Sequence, residues 1–312
     1  MRRPNRPELA LILLLSGVDL TGVLLQSSMF KYVVLRAQGQ VDDRCTLGVT
    51  LASWSTLRWE LETEVQNTRP LSDAIPDDGI FRWETPNGPV WTPKADDVGS
   101  IMAAIFFRRS RWMSIDATDL VPVRPGDVVM DAGAHLGEST RNALRLGASL
   151  VIAIEPAPEN LRAMRRNLTA QIAEGGIVII EKGVYDHEGV LSFETHKSWD
   201  GAFREQHETH GGKGKIEQLP VTTIDALVAQ LKLTRLDFIK MDIEGSETYA
   251  LKGAIDTLRR FKPRLAIGTY HRPGDLEEIH QIVLKANPAY RETPSRCFER
   301  DGRVFPNLLY YY

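Results

Sequence analysis

Cysteine is scarce in this 312-residue chain. There are two, Cys45 and Cys297, far apart in sequence. Neither has metal-ligand spacing, nothing suggests a disulfide framework, and a reducing cytoplasm is the default setting. Charge of one sign is missing too. Thirty-eight Lys and Arg face 41 Asp and Glu, for a net charge of −3. That balance gives no electrostatic footprint for nucleic acid. A long apolar run is also absent. Arg2, Arg3 and Arg6 precede Leu9–Leu15, which resembles the start of a signal peptide. Glu8 opens that run, Asp19 interrupts it, and no small-residue cleavage site follows. The charge-free stretch from Leu9 to Val18 falls short of the ~20 residues a bilayer span needs. A docking helix, or loose membrane association, is its expected use. Internal repeats are lacking. Asn167-Leu168-Thr169 fits a glycosylation sequon and reads as chance on a helix.

What remains is ordinary globular composition, 43% hydrophobic and 25% charged, in a chain long enough for one large α/β domain and an extension. Residues 1–75 read as a mostly helical extension. Residues 76–120 read as a hairpin, with aromatic runs either side of Pro86-Asn87-Gly88, followed by a helix near Asp97–Arg109. From 121 to 312, strand and helix alternate. Strands are expected at Val128–Asp131, Val151–Glu155, Ile177–Ile180, Val190–Phe193, Leu236–Asp242 and Arg264–Thr269, and two more around Asp301-Gly302. Helices are expected at Glu138–Leu146, Glu159–Ala173, Ile224–Leu231 with Thr223 as cap, Ser246–Phe261 and Leu276–Lys285. The polar stretch 195–217, with His196, His207 and His210, reads as a loop. Alternation of this kind implies a mainly parallel sheet covered on both faces. Its ligand belongs at the carboxyl ends of the strands, where the strand order reverses.

The stretch Val128 to Pro156 carries the chemistry. An apolar run ends in Asp131, a turn holds Gly133, Ala134 and Gly137, and a second apolar run ends in Glu155. A dinucleotide site would show G-x-G-x-x-G and a pyrophosphate on the helix N-terminus. Here the spacing is Gly133-x-x-x-Gly137, and Asp131 would repel a pyrophosphate. A carboxylate there suits a ligand with an ammonium and a sulfonium. Glu155 can accept hydrogen bonds from ribose hydroxyls. S-adenosylmethionine meets these conditions; a tight strand–helix turn in any α/β protein is the plainer alternative.

A second segment, Asp237-Phe238-Ile239-Lys240-Met241-Asp242-Ile243-Glu244-Gly245-Ser246-Glu247, runs on to Ala250-Leu251-Lys252-Gly253-Ala254, with Thr222-Thr223-Ile224-Asp225-Ala226-Leu227 upstream. Together with Asp131–Gly137 and the GPVWTP hairpin, it resembles the FkbM family of S-adenosylmethionine-dependent methyltransferases. The likeness covers about Ile80 to Pro288 and leaves residues 1–70 outside. His135 stands where many members carry Asn, and Ala266-Ile267-Gly268 replaces a more acidic strand end. The resemblance implies a class I methyltransferase fold, a Rossmann-like α/β sheet of seven strands, mainly parallel with the last antiparallel. It implies that Gly133, Ala134, Gly137 and Glu155 contact the cofactor and that Gly183 and Val184 border the adenine. It implies methyl transfer, usually to a hydroxyl of a saccharide or secondary metabolite.

A hydroxyl acceptor must lose a proton, so a base within reach helps. Asp242 ends the fourth strand of that fold and is the first candidate, as base or orienting group; His271, after the fifth, is the alternative base. A helix cap at Ser246 is the competing role for Asp242. Glu244 would pair with Lys240 or cap the same helix. His135 would pack beside the cofactor. Asp242, Glu244 and His271 could also form an oxygen-and-nitrogen metal site, but no tight ligand spacing supports one, and no metal is expected. A lipid-linked or nitrogen acceptor, and a non-catalytic scaffold of the same fold, are the competing functional readings.

Overall fold

The computed structural model describes residues 28–51, 75–77, 79–85, 88–93, 123–195, 201–204, 214–295 and 297–312. The helix expected at Asp97–Arg109, the apolar run Leu9–Val18, and His196, His207 and His210 lie outside them. The chain divides into two compact units. One comprises residues 1–62 and 296–305, the other 63–295 and 306–312.

In the first unit, helix Ser28–Ala37 and a hairpin of strands Cys297–Arg300 and Arg303–Pro306 share a small core of Tyr32, Val41, Cys45, Cys297 and Val304. Asp301 and Gly302 turn the hairpin with φ of 52° and 74°, as a two-residue type I′ turn requires. Cys45 and Cys297 form a disulfide, although nothing in the sequence suggested a disulfide framework. The Tyr32 hydroxyl donates to the Cys45 carbonyl at 2.9 Å, and Val41 pairs with Val304. The pairing joins cysteines 252 positions apart, a distance over which spacing carries no signal.

The second unit is built on a seven-stranded sheet. In chain order its strands are β1 (Val128–Ala132), β2 (Leu150–Ile154), β3 (Ile177–Ile180), β4 (Phe238–Met241), β5 (Arg264–Gly268), β6 (Glu292–Pro294) and β7 (Leu308–Tyr311). Their spatial order is β6-β7-β5-β4-β1-β2-β3. Strands β1 to β5 pair in parallel, and β7 runs antiparallel to both β5 and β6. This is the class I methyltransferase layout. Strands β1 and β4 are buried throughout, as apolar runs without alternation predict. The chain leaves β1 toward β2 and β3, then returns to the other side of β1 as β4. The order therefore reverses between β1 and β4, and their carboxyl ends are where a sheet of this kind binds its ligand.

The helices are α1 (Glu138–Arg145), α2 (Pro158–Asn167), α3 (Thr169–Ala173), α4 (Ile224–Gln230), α5 (Glu247–Lys252), α6 (Ile255–Phe261) and α7 (Asp275–Ala286). Two expected long helices are each broken. The first breaks at Leu168, whose side chain is fully buried. The second breaks at Gly253 and Ala254, where a Cβ on Gly253 would lie 2.2 Å from the Tyr185 carbonyl. The expected loop at 195–217 contains strand Ala202–Arg204 and the start of strand Lys215–Thr222. They join Gly183–Val184 and Gly189–Thr195 in a four-stranded sheet.

The expected hairpin is present as Ile80–Thr85 and Gly88–Thr92, with Ile75–Asp77 on its edge. Asn167 ties it to α2: its amide donates to the Trp91 and Leu136 carbonyls, and its carbonyl accepts from the Trp91 amide. A side chain so engaged is a structural clasp, in keeping with the sequon as chance.

Candidate active site

The site begins where β1 ends. Strand register sets Asp131 directly opposite Lys240. Both side chains are buried, and their charged atoms lie 3.2 Å apart. Thr140, in α1, donates to the other Asp131 oxygen at 2.7 Å. Lys240 also donates to the carbonyls of Ala132 (3.1 Å) and Gly133 (2.6 Å). Burial works against the Lys240 proton, but Asp131 and Asp242 outweigh it and push the pKa up. Lys240 is thus a cationic strap from β4 to the turn after β1. It pairs with Asp131 and not, as the sequence suggested, with Glu244.

The glycines of the turn answer first to the fold. Gly133 has φ of 77°, and a Cβ there would lie 1.9 Å from the Asp242 carbonyl oxygen. At Gly137, with φ of 89°, a Cβ would lie 2.5 Å from Leu168. The Gly133 and Ala134 amides both donate to the Ile154 carbonyl. Glu138 follows in a buried position, where loss of solvation raises its pKa to about 7.

Glu155 follows β2 and is 4% exposed. One carboxylate oxygen accepts from the His135 amide at 2.9 Å. The other accepts from the Ala157 amide and the Asn160 side chain, at 3.0 and 3.1 Å. Burial raises its pKa, and these three donors oppose the shift. Glu155 therefore links the glycine turn to the start of α2. Gly183 and Val184 lie elsewhere than on an open rim: a Cβ on Gly183 would strike the Phe203 ring, and Val184 sits in the main core.

Asp242, Glu244 and His271 come together at the ends of β4 and β5. His271 Nε2 lies 3.4 Å from both Asp242 Oδ1 and Glu244 Oε2. Its Nδ1 lies 2.9 Å from Glu247 Oε1. The Tyr270 hydroxyl donates to Asp242 Oδ1 at 3.0 Å. Burial lowers the His271 pKa, but Glu247, Glu244 and Asp242 overcome it and raise the ring to about 11. Burial also raises the Glu244 pKa, against the pull of His271.

Glu247 braces the turn that leads into α5, where the sequence suggested Asp242 or Glu244 as a helix cap. It is fully buried and accepts the Ile243 and Gly245 amides, at 2.9 and 3.0 Å. The turn between has φ of 54° at Glu244 and 95° at Gly245, which brings the Glu244 carboxylate back toward His271. Sequence reading missed the parts played by Lys240, Thr140, Glu247 and Tyr270. Their residue types are common, and only strand pairing brings them to the site.

A family model for the methyltransferase FkbM domain matches residues 131–291. The methyltransferase sdnD of Sordaria araneosa is 23% identical over 193 residues, which are 53% of this chain and 74% of the relative. A crystal structure of the methyltransferase FkbM from Methylobacillus flagellatus is 24% identical with a TM-score of 0.46. It aligns with 70% of this chain, which in turn spans 56% of that longer one. A Streptococcus mutans protein solved in complex with SAH is 13% identical with a TM-score of 0.34, over 61% of this chain and 88% of that one. The matched span starts at Asp131, contains Glu155, Asp242 and His271, and exceeds half of the sequence: the chain belongs to the FkbM methyltransferase family.

Proposed function

We propose that the protein transfers a methyl group from S-adenosylmethionine to a hydroxyl oxygen of a saccharide or small metabolite. The observation that carries this reading is the contact between the glycine turn and Asp242. The Gly133 backbone and the Asp242 carbonyl pack so closely that no Cβ fits between them. A cofactor held by the turn and an acceptor held by Asp242 would then be neighbours, as direct transfer requires.

Glu155 supports the cofactor assignment. Three donors already aim its carboxylate, and roughly one of its four acceptor positions, on Oε2, is left for a ribose hydroxyl. Gly133, Ala134 and Gly137 would shape the cofactor's edge, with Asp131 acting through Lys240. Gly183 and Val184 would act near the adenine only through the wall they build. When bound, the cofactor supplies a methyl already activated by a sulfonium. The residues of this chain align the acceptor, exclude water and take its proton. Alignment of this kind can contribute about 7–11 kcal/mol.

The base role falls to Asp242. With its pKa at about 11, His271 holds its proton at neutral pH and so positions Asp242 and Glu244 instead. Calorimetry with S-adenosylmethionine and NAD, followed by labelled-methyl transfer to a panel of sugars, glycolipids and metabolites, tests the reading. Glu155→Ala should weaken cofactor binding about tenfold or more, by loss of a hydrogen bond to a charged group. Unchanged affinity, or preference for NAD, would overturn the assignment.

A further inference from the structure

We propose that Asp242, Glu244 and His271 bind a divalent metal ion. One ligand atom from each lies within 4.8 Å of the others. Nε2 of His271 is 3.4 Å from an oxygen of each acid. Two atoms bound at ~2.1 Å to one ion are about 3.0 Å apart at a right angle and about 3.4 Å apart in a tetrahedron. Both histidine–acid pairs are at that spacing before any ion draws them in, and all three atoms lie within 4.8 Å.

The His271 ring is the independent observation. Its side chain is 7% exposed, and Nε2 is buried without a hydrogen-bond partner. A buried ring nitrogen within ion-pair reach of two carboxylates, with a well-aligned hydrogen bond to neither, is placed to share a cation with both. The far side of the ring completes the pattern. Nδ1 faces the Glu247 carboxylate, which the Ile243 and Gly245 amides fix in place. A carboxylate behind a histidine is how metal sites orient their imidazoles. The Tyr270 hydroxyl does the same for Asp242.

Three carboxylates surround this one ring. Their negative charge is set to neutralise a doubly charged ion bound among them. One nitrogen and two carboxylate oxygens suit Mn2+, Fe2+ or Zn2+. Three protein ligands leave positions open, as in catalytic sites. On the methyl-transfer reading, the open position would take the acceptor hydroxyl and make it more acidic, and with the ion bound Asp242 would serve as a ligand in place of its role as base. That role rests on the proposed function; the binding of the ion does not.

The test uses the full chain, stripped with a chelator and dialysed. Manganese binding is followed by the paramagnetic resonance of free Mn2+, and zinc binding by calorimetry. One ion per chain is expected. Asp242→Asn and Glu244→Gln should abolish that stoichiometric binding, while Glu278→Gln, in an exposed pair with Lys252, should leave it intact. Glu247→Gln should weaken it about 10- to 100-fold. Circular dichroism melts establish that each variant folds. Glu244 is the more exposed acid, so its variant reports even if Asp242→Asn does not fold. A folded wild-type chain that binds neither ion overturns the proposal. So does wild-type binding in Glu244→Gln. Cofactor calorimetry on the metal-free chain separates the failures. Cofactor binding without ion binding removes the metal alone; ion binding without cofactor binding removes the methyl-transfer reading alone.

Discussion

Glu138 shows how much a single buried group can carry. Its pKa in the folded protein is about 7, against 4.5 for an exposed glutamate, because burial disfavours its charge. Below pH 4.5 the carboxyl is protonated in both the folded and the unfolded chain, and costs nothing. Between 4.5 and 7 the unfolded chain releases the proton that the folded chain keeps, so stability falls as pH rises. Above 7 the loss is complete, at about 3 kcal/mol. Glu138→Gln should therefore stabilise the protein at pH 8 and change little at pH 4.5. Denaturant melts of both proteins at the two pH values check this, and an unaltered pH profile in the variant would count against it. Asp131 teaches the complementary lesson. In sequence it is an acid at a strand end, indistinguishable from one that faces a ligand. Only the register that opposes it to Lys240 reveals a buried ion pair that anchors the turn. Such a pair, left without one partner, costs far more than it contributes intact.

At the scale of elements, the family segments prove to be braces. Thr223 caps α4 by accepting the Ala226 amide at 2.9 Å, as expected from its place before the helix. Asp225, two residues on, reaches another helix. It accepts the Asp256 and Thr257 amides and the Thr257 hydroxyl, and so caps α6 across a tertiary contact. Thr223→Ala should cost about 1 kcal/mol and Asp225→Ala about 2 kcal/mol, the charged acceptor with three donors losing more. Thermal or urea melts would show the order, and equal losses would deny the extra role of Asp225. Strand and hairpin positions were legible because apolar runs and turn residues are local signals. The interruptions at Leu168 and Gly253 were not. Each occurs where a distant segment, the Gly137 turn or the Tyr185 backbone, meets the helix.

At the scale of the molecule, the disulfide changes the picture most. Composition suggested a reducing environment because two distant cysteines gave no reason to pair. The Cys45–Cys297 bond removes that basis, since such bonds persist in oxidising compartments. Among the described residues of the first unit, the core beside the bond consists of Tyr32, Val41, Cys45, Cys297 and Val304, with Leu35 packed against it. Unreduced protein unfolded in denaturant should show no free thiols, and two after reduction. Cys45→Ser should destabilise that unit by about 2–5 kcal/mol, seen as earlier proteolysis near residues 28–51, with the methyltransferase sheet unaffected. Two free thiols before reduction would refute the pairing. Among the described residues, no helix is long and apolar enough to cross a membrane.

The sequence by itself determined the alternation of strand and helix, the glycine turn between two acids, the FkbM segment and, through them, the class I sheet. Those features are written in short-range periodicity and in side chains a few positions apart. The tertiary structure decided which charges meet. It gave Asp131 to Lys240, set His271 among Asp242, Glu244 and Glu247, and closed Cys45 onto Cys297. These partners lie on different strands or at opposite ends of the chain. Tertiary packing brings them together, and local hydrophobic patterning is blind to it.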